Sequence, residues 1–205
     1  MNKGLLILIS APSGAGKTSL VNEIIDRDDQ LIKSVSHTTR AKRPGEEESI
    51  DYFFTTESEF NQMVLNNDFI EHAEVFGNFY GTSKNYVEEN LDFGFDVILE
   101  IDWQGARQIQ SVKREVVSIF IAPPTKQELE NRLRKRGKDS EETISIRMSQ
   151  ATSDMKKAES YNYVVINDSF ETATNHLLTI ISAERLRTSH QIKSNETLAF
   201  LLSPK

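Results

Sequence analysis

The sequence predicts an α/β fold in which a parallel β-sheet is flanked by helices. Short aliphatic segments recur along the chain, and amphipathic segments lie between them. The first aliphatic segment leads directly into a loop of small residues that opens a helix. Strands that alternate with helices are typical of parallel sheets with right-handed crossovers. A chain of 205 residues, 38% of them hydrophobic, is long enough for one such domain with inserted lobes.

The predicted elements follow one another in a regular order. Continuous aliphatic composition predicts buried strands at Leu5–Ser10, Val97–Ile101, Val116–Ile121 and Tyr163–Ile166. Helical spacing of apolar residues predicts helices at Lys17–Asp26, Gln104–Lys113, Lys126–Lys135 and Phe170–Leu186. We expect ligands to bind where the carboxyl ends of the strands meet.

Two stretches interrupt this alternation of strands and helices. Residues 36–94 are more polar and carry aromatic residues at spacings that suit short strands and one helix. Residues 126–157 are dominated by charged side chains. Because both stretches lie between core strands, we expect them on the ligand-binding side of the sheet.

Composition excludes several classes of protein. The net charge of −7, from 31 acidic and 24 basic residues, argues against a dedicated nucleic-acid-binding protein. The absence of cysteine excludes disulfides, thiolate zinc sites and cysteine nucleophiles. The apolar runs are too short to cross a membrane, and the N-terminal segment lacks the features of a signal peptide. We therefore expect a cytoplasmic protein.

The loop after the first strand has the pattern of a phosphate-binding loop, which makes the predicted sheet one of the P-loop NTPase type. Its small residues let backbone N–H groups surround a phosphate, and the helix N-terminus adds partial positive charge. Lys17 would reach the outer phosphates, and the Thr18 hydroxyl would hold Mg²⁺. Ala11 stands at the usual first glycine. The predicted ATP site comprises Ala11, Pro12, Ser13, Gly14, Ala15, Gly16, Lys17 and Thr18.

Four further segments resemble those of a known family. These segments are Ser36–Glu46, Asp51–Phe54, Phe69–Ala73 and Gly77–Thr82. Together with the phosphate loop, they closely resemble guanylate kinase over residues 4–184. The family's fold implies a P-loop core from residues 1–35, 95–125 and 157–186. It also implies an inserted lobe for a nucleoside monophosphate at 36–94, a helical lid at 126–156 and a C-terminal tail at 187–205.

The resemblance implies a reaction and its residues. The γ-phosphate of ATP would pass to GMP with the help of Mg²⁺, giving ADP and GDP, and so recycle GMP for GTP supply. Acceptance of dGMP is left open. By motif position, guanine would meet Ser36, Glu71 and Thr82, and the GMP phosphate would meet Arg40, Arg43, Tyr52 and Tyr80. The lid arginines would be Arg132, Arg136 and Arg147, and the adenosine side of ATP would meet Asn167 and Asp168.

The chemistry of individual side chains supports this interpretation. A carboxylate such as Glu71 can accept from both N1–H and the exocyclic amine of guanine, whereas adenine presents an acceptor at that edge. A buried mismatch of this kind can give large specificity. Arginine forks such as those of Arg40 and Arg43 bond a phosphate at two points. Arginines on a closing lid would stabilise the charge of phosphoryl transfer and exclude water.

Two acids, Glu100 and Asp102, lie at the end of the second predicted strand, two residues apart and therefore on one side of it. Opposite a phosphate loop they suit metal or substrate binding, and both are further candidates for holding Mg²⁺. For Asp102, which matches an acid near the GMP and the metal in the family, a metal role and a base-reading role stay open. Paired carboxylates also occur in hydrolases, but no nucleophilic or basic partner pattern accompanies this pair.

Two other functions stay open at this point. A guanylate-kinase-like binding module would hold a protein partner in the same cleft, but such modules tend to have eroded phosphate loops, and this loop is intact. A related P-loop kinase for another small molecule would not need the guanine-contacting set. We expect ATP and GMP as partners, without nucleic acid or membrane, and a homo-oligomer is left open.

Overall fold

The computed structural model describes residues 3–112, 115–135 and 140–202. Its strands are β1 Leu6–Ser10, β2 Leu31–Lys33, β3 His37–Thr38, β4 Phe53–Phe54, β5 Phe69–Val75, β6 Asn78–Ser83, β7 Asp96–Glu100, β8 Val117–Ala122 and β9 Tyr163–Ile166. Its helices are α1 Lys17–Arg27, α2 Glu57–Leu65, α3 Lys84–Asp92, α4 Trp103–Val112, α5 Lys126–Lys135, α6 Glu141–Met155, α7 Phe170–Arg185, α8 Thr188–Ser194 and α9 Glu196–Leu202.

The core sheet has the strand order β2-β7-β1-β8-β9, and all neighbouring strands run parallel. Every residue of the central strand β1 is buried, as its continuous aliphatic sequence requires. The predicted α/β class is confirmed, and the bounds of each predicted strand agree with the structure to within one residue. The strand β2 is absent from the predicted elements, because three residues give no periodic signal.

Helices cover both faces of the core sheet. On one face, α1 and α7 contribute buried residues such as Leu20, Ile24 and Leu177 to a single apolar cluster. On the other face, α3 and α4 contribute Val87 and Ile109 to a second cluster. The two layers fix β1 and β7 side by side, so the loops that follow these strands open at the same edge of the sheet.

The insert between β2 and β7 contains a second sheet with the strand order β4-β3-β6-β5. The strands β5 and β6 form an antiparallel hairpin, and β3 pairs antiparallel with β6. A capping box of Thr56 and Glu59 begins α2. The expectation of one helix in this insert is wrong, because α3 lies there as well. Since α3 packs against both β5 and β7, it joins the insert to the core.

The lid stretch forms α5 and α6, which pack together through Leu129, Leu133 and Ala151. Ser140 caps α6, since its hydroxyl accepts from the Thr143 N–H. The tail forms α8 and α9. None of the helices in the described ranges is long and apolar enough to cross a membrane.

Candidate active site

The phosphate loop connects β1 to α1 with two backbone positions that favour glycine. Gly14 has φ +94 and Gly16 has φ +90, in the left-handed region that other L-residues rarely adopt. A Cβ on Gly14 would also lie 3.0 Å from side-chain atoms of Leu129 and Leu133, so α5 packs directly on the loop. The helix α1 then begins at Lys17, and its free N–H groups face the loop. This arrangement can bind a phosphate.

Lys17 extends from the start of α1 toward the carboxyl end of β7. Its Nζ donates to the Ile101 carbonyl oxygen over 3.4 Å. Burial lowers the pKa of Lys17, while the nearby carboxylates of Glu100, Asp102 and Glu71 act in the opposite direction. A buried ammonium that faces acids and a phosphate loop gains a strong partner when a polyphosphate arrives.

Glu71 lies on β5 of the second sheet and lines the same cleft as Lys17. Its side chain is buried, with 4% of the residue exposed. The hydroxyl of Thr82, on the neighbouring strand β6, donates to its Oε1 over 2.5 Å. Burial raises the pKa of Glu71 to about 7, although the Thr82 hydrogen bond opposes this. The remaining oxygen, Oε2, lies against Gly105 on α4.

Gly105 is a residue of this site that the sequence analysis does not identify. A Cβ at this position would lie 2.2 Å from Glu71 Oε2, a separation that real structures do not allow. Gly105 occurs in the first turn of a helix, where an isolated glycine is unfavourable and needs a packing reason. That isolated glycine is the sequence signal that could have found it.

Asp102 lies beyond the end of β7, which contradicts its predicted place on the strand with Glu100. Its Oδ1 accepts from the backbone N–H groups of Gln104 and Gly105, at 3.1 and 3.0 Å. Its Oδ2 accepts from the side-chain amide of Gln104. Asp102 therefore caps α4, as short polar side chains do at helix starts. Both of its oxygens already have partners within the protein.

Basic and phenolic side chains line the wall between Lys17 and Glu71. Arg40 Nη2 donates to Glu46 Oε1 over 2.7 Å, and the other oxygen of Glu46 accepts from the Arg43 N–H over 2.8 Å. Burial opposes the charge of Arg40, but the Glu46 carboxylate outweighs burial and raises the pKa of Arg40. The Arg40 guanidinium lies 5.3 Å from the Tyr52 ring centroid, and the Tyr52 and Tyr80 rings are 6.0 Å apart. Glu46 thus holds Arg40 in place beside two phenols.

The helices α5 and α6 each carry an arginine that bonds the core, and one of the two bonds the phosphate loop. Arg147 on α6 donates from Nη1 to the Ser13 hydroxyl over 3.3 Å. Arg132 on α5 donates to Glu128 over 2.7 Å and to the Asn167 carbonyl oxygen over 3.0 Å. Arg136, the third predicted lid arginine, lies outside the described residues.

Asn167 is buried behind the phosphate loop. Its side-chain amide donates to the Ala15 carbonyl oxygen over 2.8 Å, and a Cβ on Gly16 would collide with that amide at 2.5 Å. Asp168 beside it is exposed. In this conformation Asn167 supports the loop from behind, and neither residue lines the cleft.

A single cleft of about 680 Å³ brings most of the predicted site residues together. Beyond the prediction, Glu46, Trp103 and Gln104 also line it. Five predicted residues lie outside its wall, and these are Ala15, Thr82, Arg132, Asn167 and Asp168. The predicted residues that line it are Ala11, Pro12, Ser13, Gly14, Gly16, Lys17, Thr18, Ser36, Arg40, Arg43, Tyr52, Glu71, Tyr80, Glu100, Asp102 and Arg147.

The donor set beside the phosphate loop fits Mg²⁺. The Thr18 hydroxyl donates to Glu100 Oε2 over 2.9 Å. The other oxygen of Glu100 is buried without a hydrogen-bond partner among the described residues, and Lys33 Nζ lies 3.8 Å from it. No group of three or more His, Asp or Glu side chains in the described ranges is arranged to hold a metal. Mg²⁺ takes few protein oxygens and completes its shell with water and phosphate, so this pair suits it.

The parallel sheet, the glycine loop at the start of α1 and the facing cleft are features of a nucleotide-binding α/β enzyme. A family model described as guanylate kinase matches residues 3–184. The chain belongs to the guanylate kinase family.

Individual relatives agree with this assignment. The chain is 50% identical over 202 residues to the guanylate kinase of Escherichia coli strain K12, with 97% of each chain covered. It is 48% identical over 196 residues to the guanylate kinase of Pseudoalteromonas translucida, covering 96% of this chain and 95% of that one. The crystal structure of guanylate kinase from Anaplasma phagocytophilum matches with a TM-score of 0.80 and 36% identity, over 100% of this chain and 98% of the other.

Proposed function

We propose that this enzyme transfers the γ-phosphate of ATP to GMP and releases ADP and GDP. The observation that carries the proposal is the buried Glu71 carboxylate in the same cleft as the phosphate loop. The likeness to enzymes named guanylate kinase supports it. A soluble cytoplasmic location, a part in GTP supply and acceptance of dGMP belong to the same proposal.

Glu71 would recognise the base. In its ionised form it can accept from N1–H and from the exocyclic amine of guanine. Thr82 holds one of its oxygens, which fixes the plane of the carboxylate. Adenine presents a lone pair at this edge, so the base would supply no N1–H donor to the buried acid. Ser36, which also lines the cleft, would contact the same base.

The wall of Arg40, Arg43, Tyr52 and Tyr80 would hold the GMP phosphate between Glu71 and the phosphate loop. Glu46 keeps the Arg40 guanidinium in position before the phosphate arrives. Guanidinium groups bond phosphate oxygens in pairs, and each phenol can donate one further hydrogen bond. These contacts would orient one oxygen of GMP toward the γ-phosphorus of ATP.

The transfer forms one P–O bond and breaks another. An oxygen of the GMP phosphate would attack the γ-phosphorus, and the bond to the β-phosphate oxygen would break, leaving ADP. Lys17 and the lid arginines, Arg132, Arg136 and Arg147, would stabilise the negative charge that spreads over the transferring group. The attacking phosphate is already anionic near neutral pH, so no general base is required.

Thr18 and Glu100 would hold Mg²⁺ beside the phosphates of ATP. When bound, the metal neutralises charge on the β- and γ-phosphate oxygens. Asp102 would act chiefly by fixing the start of α4, because its oxygens bond Gln104 and Gly105.

The core, the insert and the lid would each have a separate role in the reaction. The core, residues 1–35, 95–125 and 157–186, would bind ATP. The insert at 36–94 would bind GMP, and the lid at 126–156 would close over both and exclude water. Asn167 would keep the phosphate loop in shape from behind, with Asp168 on the ATP side.

Release of ADP from Mg·ATP, with GMP, AMP, CMP and UMP offered separately, tests the proposal. We expect turnover with GMP and little with the others. Turnover with another monophosphate would retain the kinase and refute the base assignment. Tight GMP binding without turnover would favour a binding module, and inactivity toward all four in protein that binds ATP would indicate a different acceptor.

The Glu71→Ala variant isolates the base contact. We expect its KM for GMP to rise roughly a hundredfold, because a buried hydrogen-bonding mismatch is costly. Its KM for ATP should change by less than about twofold, because ATP binds at the other end of the cleft. Glu89→Ala, an exposed acid on α3, is the matched control and should leave both constants unchanged. Equal rises for both substrates would remove Glu71 from the base pocket.

A further inference from the structure

The helix α4 of the core lies against the outer edge of the second sheet. In the strand order β4-β3-β6-β5, β5 has one neighbour, β6, and its other edge faces α4. An edge strand presents unpaired N–H and C=O groups that need partners. Since β5 carries Glu71, whatever satisfies this edge also places the acid that faces the base.

Two glutamine side chains from α4 form hydrogen bonds with backbone groups at the outer edge of β5, where a neighbouring strand would otherwise pair. Gln108 Oε1 accepts from the His72 N–H over 3.2 Å, and Gln108 Nε2 donates to the His72 carbonyl oxygen over 2.7 Å. One turn earlier, Gln104 Nε2 donates to the Glu74 carbonyl oxygen over 3.2 Å. The amide of Gln108 therefore pairs with both backbone groups of the residue that follows Glu71.

Between these glutamines, Gly105 determines how closely the strand can approach. Its φ is not in the left-handed region, so backbone conformation does not require glycine here. Space does, because a Cβ would lie 2.2 Å from Glu71 Oε2 and 3.0 Å from Glu71 Cδ. Glu71 is therefore bounded on one side by the Thr82 hydroxyl and on the other by the bare backbone of α4.

We propose that Gly105 and Gln108 are positioning residues that set the selectivity of the site for the acceptor base. Gln108 fixes β5 along α4, and Gly105 leaves the space that the Glu71 carboxylate needs to face the base with both oxygens aligned. Neither residue lines the cleft, so both act through Glu71. The proposal rests on the proposed function, in which Glu71 accepts from guanine.

The experiment compares steady-state constants of Gly105→Ala, Gln108→Ala and a matched control. Gln110→Ala is that control, because Gln110 lies on the same helix but bonds Ser118 and Ser160 of the core. Each variant is assayed for KM of GMP, KM of ATP and kcat, and for the kcat/KM ratio of GMP to IMP. Since IMP keeps N1–H but lacks the exocyclic amine, this ratio reports whether the carboxylate still engages both donors.

We expect Gly105→Ala to raise the KM for GMP about tenfold or more, since small displacements of a positioned group cost that much. Gln108→Ala should raise it a few-fold, and both should lower the preference for GMP over IMP. The KM for ATP should stay within about twofold in both, and Gln110→Ala should behave as wild type. Alanine is favoured over glycine in a helix, so a merely structural role would not produce this pattern.

Equal rises in both KM values, or an unchanged GMP to IMP ratio in both variants, would overturn the proposal. If Gly105→Ala fails to fold by circular dichroism, Gln108→Ala, which removes an exposed side chain, decides the question. The Glu71→Ala variant distinguishes failure of the proposed function from failure of the positioning role. If it leaves the KM for GMP unchanged, the proposed function fails. If it raises that KM while Gly105→Ala and Gln108→Ala do not, the positioning role alone is wrong.

Discussion

The two ends of the cleft are built in opposite ways. At the end of the cleft that we propose for ATP, the lining residues of one continuous loop from Ala11 to Thr18 form the wall, and backbone angles at two glycines shape this loop. At the end that we propose for GMP, the wall comes from β5, β6, α4 and the loop around Arg40, which are far apart in the chain. The residues of the first end are contiguous in the sequence. Those of the second end come together only when the chain folds.

The chemistry of the two ends differs in the same way. At the proposed ATP end, backbone N–H groups and the N-terminus of α1 would bind the phosphates. Apart from Lys17, this binding requires no buried charged side chain. At the proposed GMP end, burial raises the pKa of the Glu71 carboxylate, and donors from a bound base would favour its ionised form. Substitutions at the ATP end should therefore affect turnover, and those at the GMP end should affect selectivity and pH dependence.

Removal of the Lys17 ammonium should have the largest effect. We expect Lys17→Ala to lower kcat by about a thousandfold or more, because the negative charge of the transferring phosphoryl group then loses a cation that stabilises it. The fold should stay intact by circular dichroism. Lys84→Ala, at an exposed lysine that begins α3, is the control and should retain wild-type kcat. Retained turnover in Lys17→Ala would refute the role of the phosphate loop.

Loss of Arg147, which bonds Ser13 of the phosphate loop, should have the next largest effect. We expect Arg147→Ala to lower kcat about a hundredfold with smaller changes in KM, as for loss of one group that stabilises transition-state charge. Arg134→Ala is matched to it, because Arg134 lies on the same lid but pairs with Glu130 and Glu141 at the surface. If both variants lose the same activity, the lid acts as a charged surface and not through a placed arginine.

The contrast also explains what could be predicted from the sequence. The core strands, α1 and the phosphate loop are continuous segments with strong periodic or compositional signals, and they agree with the structure. The strand β2 is too short for such a signal, and α3 lies within a polar insert. The place of Asp102 was predicted wrongly because β7 ends at Glu100, where the next residues already start α4.

The remaining gaps concern contacts between distant segments. Gly105 touches Glu71 across 34 positions, and Asn167 bonds Ala15 across 152. No periodicity in one segment reports such a contact. The resemblance to a family placed Asn167 near ATP, whereas its bond to the Ala15 carbonyl requires the register of β9 beside β8. The sequence therefore predicts most of the side chains that line the cleft, but not the contacts through which Gly105 and Asn167 support them.

Acidity should affect the GMP end more than the ATP end. Burial raises the pKa of Glu71 to about 7, and guanine requires the ionised form as an acceptor. We therefore expect the KM for GMP to rise about tenfold for each pH unit below 7, while the KM for ATP changes less. In Glu71→Gln this added dependence should be absent, leaving the titration of the GMP phosphate itself. Parallel pH profiles in wild type and variant would contradict the assignment.

The same group should make the protein less stable at high pH. Because the pKa of Glu71 is raised on folding, the folded protein holds a proton that the unfolded chain releases above about pH 4.5. Its stabilising contribution is therefore complete below that pH and is lost as the pH rises through about 7. We expect Glu71→Gln to be more stable than wild type at pH 8, by about 1–3 kcal/mol, with little difference near pH 4.

Urea unfolding of both proteins at the two pH values measures this difference. If the variant gains nothing at pH 8, the buried carboxylate is already satisfied by the protein, and guanine would not be needed to complete its hydrogen bonds. If it gains stability while losing GMP selectivity, the GMP end holds an unfavourable charge that its substrate relieves. The ATP end provides the comparison, because Lys17 is buried beside Glu100, Asp102 and Glu71, which oppose the effect of its burial before any nucleotide binds.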